Sequence, residues 1–379
     1  MTAESRQRLL SLDVFRGATI ALMILVNNPG SWFSSYPQLK HAAWHGWTMT
    51  DMVFPFFLWI MGMAMTFSFG ARTAAGATTQ SLIVHAFKRA AIIFALGILI
   101  NSFPFGVGAP FSFATLRIPG VLQRIAICYL VSAVLFVTAG VRGRLFFSVF
   151  FLAIYWVLMK LVPVPGYGAG VLEPVGNLGW YIDATLLNGH TFAWAPAKGF
   201  DPEGIISTIP AFSTTLFGAL TGSWLRSARS QTNKTVGMLF AGIAMILAGA
   251  ALDARLPINK NLWTSSYAVF MGGWALLCFS IFYWLLDVKG KGRWLKALRV
   301  FGMNAIVLYV ASELLATILE VIKTGRSGTV VSLREWIYSH LFKPWLNPSN
   351  ASLAYAIAFV GLMYLLGWVM WKRNWFVKV

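Results

Sequence analysis

Long apolar stretches alternate with short polar ones along the chain, and the apolar stretches dictate its architecture. A helix needs about 20 mostly apolar residues to cross a bilayer. Runs of that kind cover approximately residues 14–29, 52–70, 89–104, 120–139, 145–162, 205–223, 236–252, 264–286, 300–320 and 351–371. The pattern predicts an all-α polytopic membrane protein with about ten transmembrane helices, forming a single transmembrane domain over residues 1–379. The first run follows Arg6, Arg8 and Arg16, as in a signal peptide. No small-residue cleavage site comes after it, so it reads as a retained helix. The longest polar connection, residues 163–204, is rich in Gly and Pro and ends in FDPEG. Its aromatic and carboxylate residues predict an ordered outer loop folded over a cavity.

Charge supplies a second, independent signal. The chain is 58% hydrophobic and only 11% charged, yet its formal net charge is +18. In a soluble domain that balance would suggest nucleic acid. Here the cations flank the apolar runs, so membrane sidedness is the better explanation and no nucleic-acid partner is expected. With the N-terminus cytoplasmic, 19 of the 30 Lys and Arg residues fall on the cytoplasmic side. Every connection on that side is basic, from Arg72, Lys88 and Arg89 to Lys372, Arg373 and Lys378. Ten spans with both termini cytoplasmic therefore satisfy the positive-inside rule. An anionic ligand on the basic side fits as well. Cys128 and Cys278 lie within apolar runs and suggest neither a disulfide nor a metal framework. No internal repeat is visible, so the inverted-repeat signature of many transporters is missing.

The residues capable of chemistry gather on the outer side. In HAAWHGWTMTD, His41 and His45 have the i, i+4 spacing of a zinc pair. No glutamate follows His41, however, and Gly46 breaks the helix, so no metal is expected. The stretch then reads either as an interfacial loop anchored by Trp44 and Trp47 or as a carrier of a general base, with His41 the better candidate. Thr50 or Asp51 suits an N-cap for the second span, and a carboxylate there also suits orienting a histidine. Asn27, near the outer end of the first span, is a buried amide that needs a partner and can donate to a developing oxyanion. Arg16 sits at the inner mouth of the same span. Gln123 and Arg124 in RIPGVLQR lie inside the fourth span, where an ionisable side chain is a functional-site hypothesis by default. A structural pairing of Arg124 with Glu313 or an aspartate is the competing reading. Asp201 and Glu203 precede the sixth span, where they can cap its start or meet an amino or polyol substrate. Asn259 and Lys260 head the eighth span, and Asn304 lies near the inner mouth of the ninth.

RLLSLDVFRGATIALMILVN, KHAAWHGWTMTDMVFPFFLWIMGM, RIPGVLQRIAICY, LVPVPGYG, YIDATLL, FDPEGIISTI, INKNLWTSSY, DVKGKG and FGMNAIVLYV together resemble, in this order, the heparan-alpha-glucosaminide N-acetyltransferase family of transmembrane acyltransferases. The resemblance runs from about Arg8 to the end of the chain. It implies a bacterial member in the cytoplasmic membrane. It also implies acetyl-CoA as cytosolic co-substrate, an amino-sugar amine as acceptor across the membrane, and a homodimer among membrane lipids. It maps the family's essential histidine onto His41, its first-span asparagine onto Asn27 and its aspartate onto Asp51. The chain departs from the lysosomal enzyme by carrying His45 where that enzyme has Asn. On this resemblance it is also expected to lack that enzyme's extra N-terminal span and luminal domain.

The resulting expectation assigns His41, Asn27 and Asp51 as catalytic. Arg16 would hold the CoA phosphates, and Gln123, Arg124 and Asn304 would line a polar channel for the pantetheine arm. Trp44, His45, Asp183, Asp201, Glu203, Asn259 and Lys260 would shape the acceptor pocket. Direct transfer and an acetyl-histidine intermediate both fit, as does O-acylation of an envelope glycan. A transporter or flippase of a sugar-containing substrate is the alternative class.

Overall fold

The computed structural model describes residues 9–107, 111–292, 295–325 and 330–377. Arg6, Arg8, Arg293 and Lys378 of the charge pattern lie outside the described residues. In chain order the helices are α1 (Leu10–Asn27), α2 (Val53–Ala74), α3 (Thr79–Ser102), α4 (Val121–Thr138), α5 (Val141–Leu161), α6 (Leu178–Leu186) and α7 (Ile205–Leu225). They continue with α8 (Gln231–Asp253), α9 (Ser265–Tyr283), α10 (Lys296–Met303), α11 (Ala305–Val321), α12 (Leu333–Ile337) and α13 (Pro348–Lys372). Two small hairpins, β1 (Pro163–Val164) with β2 (Gly168–Ala169) and β3 (Lys323–Thr324) with β4 (Val331–Ser332), are antiparallel.

Among the described residues, nine helices are long and apolar enough to span a membrane, or ten if α10 and α11 form one broken span. The ten runs predicted from hydropathy correspond to these helices. The ninth differs in shape: α10 and α11 meet at 82°. Asn304 occupies the break, and its side chain bonds the C-terminal segment. Its Nδ2 donates to the Trp375 carbonyl (3.0 Å) and its Oδ1 accepts from the Val377 amide (3.1 Å).

Local chemistry sets where the spans begin. Thr78, Ser230, Thr264 and Asn347 each accept a backbone N–H from the first turn of α3, α8, α9 and α13, filling donors a helix start would leave open. The helices then pack through small residues, as helices do where lipid removes the hydrophobic drive for association. A Cβ on Gly62 of α2 would strike the Thr215 carbonyl of α7, and one on Gly218 of α7 would strike the Trp59 carbonyl of α2. The α2 and α7 backbones therefore touch. Leu10 of α1 and Trp371 of α13 line one cavity, so the first helix begins and the last helix finishes at the same end of the bundle. Arg16, Arg72 and Arg89 share a second cavity near that end, which is called here the basic end.

The connection 163–204 holds the β1–β2 hairpin and α6, and it packs on the α8–α9 connection through Phe200, Leu256 and Leu262.

Candidate active site

The segment between α1 and α2 turns back on itself through two short 3-10 turns, Pro37–Leu39 and Met49–Met52. Thr48 and Asp51 form a capping box at the second turn. The Asp51 side chain is 1% exposed. Its Oδ2 accepts the Ala42 amide (3.0 Å) and the Thr48 amide (3.0 Å), while the Thr48 hydroxyl donates to the Lys40 carbonyl (2.6 Å). Its Oδ1 lies 2.6 Å from Nδ1 of His41. An ionised carboxylate taking two backbone amides is acceptor-only, so Nδ1 carries the ring proton and Nε2 presents its lone pair. The His41 side chain is 45% exposed. The Tyr267 hydroxyl donates to the Asp51 carbonyl (2.5 Å), tying the turn to α9. The cap and the histidine anchor are thus one carboxylate.

The α8–α9 connection is sewn alongside. The Gly46 amide donates to the Ile258 carbonyl (2.7 Å), and the Asn259 Nδ2 donates to Nδ1 of His45 (3.3 Å). His41 and His45 therefore take different partners. Asn259 is buried, accepting the Leu262 amide through Oδ1 (2.9 Å), so it shapes this loop from inside. Trp44 donates from Nε1 to the Leu172 carbonyl (2.9 Å) and packs edge-on against Phe200. Lys260 follows Asn259. Its positive charge is the main influence lowering the His41 pKa, and burial adds to it. Asp51 and, more weakly, Glu203 push the other way.

The FDPEG segment forms the third wall. Arg117 grips Asp201 through Nε (2.8 Å) and Nη2 (2.7 Å), and it holds Glu203 through Nη2 (2.6 Å). Burial works against the Glu203 charge, but Lys260, Arg117 and Arg124 outweigh it and hold the carboxyl at about 2. Asp201 and Glu203 do not cap α7 as the sequence suggested; Asp183 does, accepting the Ile205 amide (3.0 Å) and the Asp201 amide (3.3 Å). Burial pushes Asp183 up to about 7. Asp183 and Asp201 are 1% and 0% exposed, so they build the wall from behind. Glu203, with Lys260, stands closer to His41.

A cavity of about 330 Å³ enters from the basic end. Arg16, Arg72, His85 and Arg89 line its mouth, with Val377 of the tail beside them. Apolar walls follow, and Phe54, Val121 and Tyr309 line its far end. Eighteen helical residues from Arg72 to Phe54 rise about 27 Å, close to the hydrocarbon thickness. Phe54 lies one turn beyond Asp51, so the cavity points at the histidine site. At that level Asn27 is exposed at the end of α1 and lies in hydrogen-bond contact with Glu313 of α11.

Three expected channel residues sit elsewhere. The cavity passes Val121, Leu122 and Ile125 on α4, not Gln123 and Arg124. Gln123 packs against Gly97 of α3. Arg124 neither pairs with Glu313 nor lines the cavity; its Nη2 donates to the Pro202 carbonyl (2.8 Å) and to Ser207, with the guanidinium over Trp263. It fixes the FDPEG wall. Asn304 holds the tail near the mouth. Arg16 does reach the mouth, donating from Nε to the Gly302 carbonyl (2.7 Å) and from Nη2 to Asp13 (2.8 Å). Arg72, His85 and Arg89 were not singled out from sequence, because flanking cations look alike whether they serve sidedness or a ligand.

Fold and site define a polytopic helical membrane protein that presents an aspartate-oriented histidine opposite a basic-mouthed cavity. Residues 8–253 match the family described as heparan-alpha-glucosaminide N-acetyltransferase, catalytic, and the chain belongs to that family. It is 30% identical over 361 residues to the heparan-alpha-glucosaminide N-acetyltransferase of Mus musculus, covering 82% of this chain and 54% of that protein. It is 31% identical over 356 residues to the Homo sapiens protein of the same name, covering 81% and 53%. The chain spans about half the length of the curated relatives it matches.

Proposed function

We propose that this protein is a membrane-embedded acetyltransferase. It takes acetyl from acetyl-CoA at the basic end and passes it to the amine of a terminal, glucosamine-like amino sugar at the histidine end. The His41–Asp51 pair carries this reading: its geometry is that of a general base held in one tautomer. The membrane is a bacterial cytoplasmic membrane with the basic end inward, and the working form is a dimer, as family resemblance suggests.

Arg16, Arg72 and Arg89 face the CoA phosphates, and the apolar cavity takes the pantetheine arm. The thioester arrives near Phe54 and Tyr309, within reach of Asn27. The amine nitrogen attacks the thioester carbon while Nε2 of His41 accepts the N–H proton. Asp51 stabilises the imidazolium, and Asn27 donates to the oxyanion. The C–S bond breaks, and the imidazolium returns its proton to the CoA thiolate. Trp44, His45, Glu203 and Lys260 border the acceptor.

The test is CoA-thiol release by purified protein given acetyl-CoA and a panel of amino sugars, cell-wall fragments and lipid-linked glycans. Wild type releases CoA with an amino sugar, and His41→Ala does not. Release with hydroxyl acceptors only would reassign the reaction to O-acylation. No release with any acceptor would sink the enzyme reading in favour of transport.

A further inference from the structure

Lys260 is held beside the catalytic base by a deliberate piece of construction. The two loops that carry Lys260 and His41 are joined at Gly46–Ile258 and at His45–Asn259. Asn259 fixes its own loop by taking the Leu262 amide and by donating its backbone N–H to Thr264 (3.1 Å). The Lys260 side chain is half-buried. Among the described residues its ammonium takes part in no ion pair within 4 Å. Glu203, a wall carboxylate in the field of Lys260, is already bonded to Arg117.

A cation beside a base that must become an imidazolium works against proton abstraction. The same field has a second effect. A primary amine is mostly an ammonium at neutral pH and then has no lone pair with which to attack. A fixed positive charge acts on the ammonium form of an acceptor bound near it in the same direction as it acts on imidazolium.

We propose that Lys260 is a positioning residue for the transfer: from its place beside His41 it keeps both the base and the acceptor amine in their uncharged, reactive forms. The proposal rests on the transferase reading above. The groups facing His41 are Lys260 from the α8–α9 connection, Asp51 from the turn before α2 and Glu203 from the segment before α7. Before reaction the acceptor ammonium loses a proton to solvent. The free amine then attacks, its remaining N–H proton goes to Nε2, and the field of Lys260 makes the imidazolium a stronger acid toward the departing thiolate. The products are the N-acetyl sugar and CoA thiol. The site thus selects a free primary amine instead of binding an ammonium.

The experiment uses the full chain in nanodiscs, with Lys260→Gln and Lys260→Arg. Diethylpyrocarbonate modifies neutral imidazole, so its rate at the His41 peptide, read by mass spectrometry, follows the base without requiring turnover. Lys260→Gln is expected to slow modification, and kcat/KM with an amino sugar, by about tenfold near pH 6, with the deficit closing by about pH 9. Lys260→Arg keeps the charge and should restore the pH dependence of diethylpyrocarbonate modification at His41, which separates charge from folding. A His41 profile in Lys260→Gln identical to wild type, or a rate lost equally at every pH, would overturn the proposal. A shifted His41 profile in a protein whose wild type transfers no acetyl would overturn the transferase reading alone.

Discussion

Nδ1 of His41 and Oδ1 of Asp51 stand 2.6 Å apart, and the same aspartate caps the turn that starts α2. Position and tautomer of His41, the proposed base, are thereby set by a residue that also starts a transmembrane helix. Asp51→Asn keeps the size but lets the ring take the wrong tautomer. The expected result is a kcat lower by about 100- to 10,000-fold, with KM for acetyl-CoA little changed. Steady-state kinetics against both substrates checks this.

The cavity mouth gives the complementary prediction. Arg72→Ala and Arg89→Ala remove charge where the CoA phosphates are proposed to sit and leave the histidine end untouched. Each should raise KM for acetyl-CoA about tenfold, the cost of roughly one charge-assisted contact, while kcat stays close to wild type. The wild-type KM should also rise with salt. A fall in kcat with unchanged KM would place CoA elsewhere.

Arg117 holds two buried carboxylates. Arg117→Ala leaves both without their partner and should cost about 3–5 kcal/mol, seen as a lowered melting temperature in detergent. Arg117→Lys keeps the charge but loses the two-pronged grip on Asp201, so it should fall between the two.

Asp183 makes stability depend on pH. Burial raises its carboxyl to about 7, above the ordinary aspartate range. The fold therefore favours the neutral acid. This contribution is full at low pH and declines as pH rises through about 7. The melting temperature should drop across that window, and Asp183→Asn should flatten the drop. An unchanged slope in Asp183→Asn would assign the effect to another group.

Much of this was legible in sequence, for identifiable reasons. Spans of about 20 apolar residues and the cations between them are large, additive signals, and they located the helices. His41 and Asp51 were recoverable because both belong to one short segment, where local turns bring them together. The break at Asn304 was not recoverable, since FGMNAIVLY is apolar apart from Asn304 itself and the bend is held by distant backbone groups of Trp375 and Val377. Depth in the membrane follows from position along a helix, but rotation about the helix axis does not. Hence the sequence did not reveal that Gln123 and Arg124 turn away from the cavity that Val121, Leu122 and Ile125 line. The roles of Asp183 and Asp201 were hidden for a similar reason: Asp183 takes the amides of Asp201 and Ile205, 18 and 22 residues on, and Arg117 reaches Asp201 from 84 residues away.

The cavity that ends at Phe54 and Tyr309 has a consequence for the barrier the protein lives in. A slim acyl arm can fill such a passage like a stopper. Under the proposed transfer, neither the nucleotide nor the sugar would need to change compartments, and two carbons alone would make the crossing. An organism using the proposed route would modify material outside the cell with metabolic currency kept inside, while the gradients of protons and salts across its membrane are left standing.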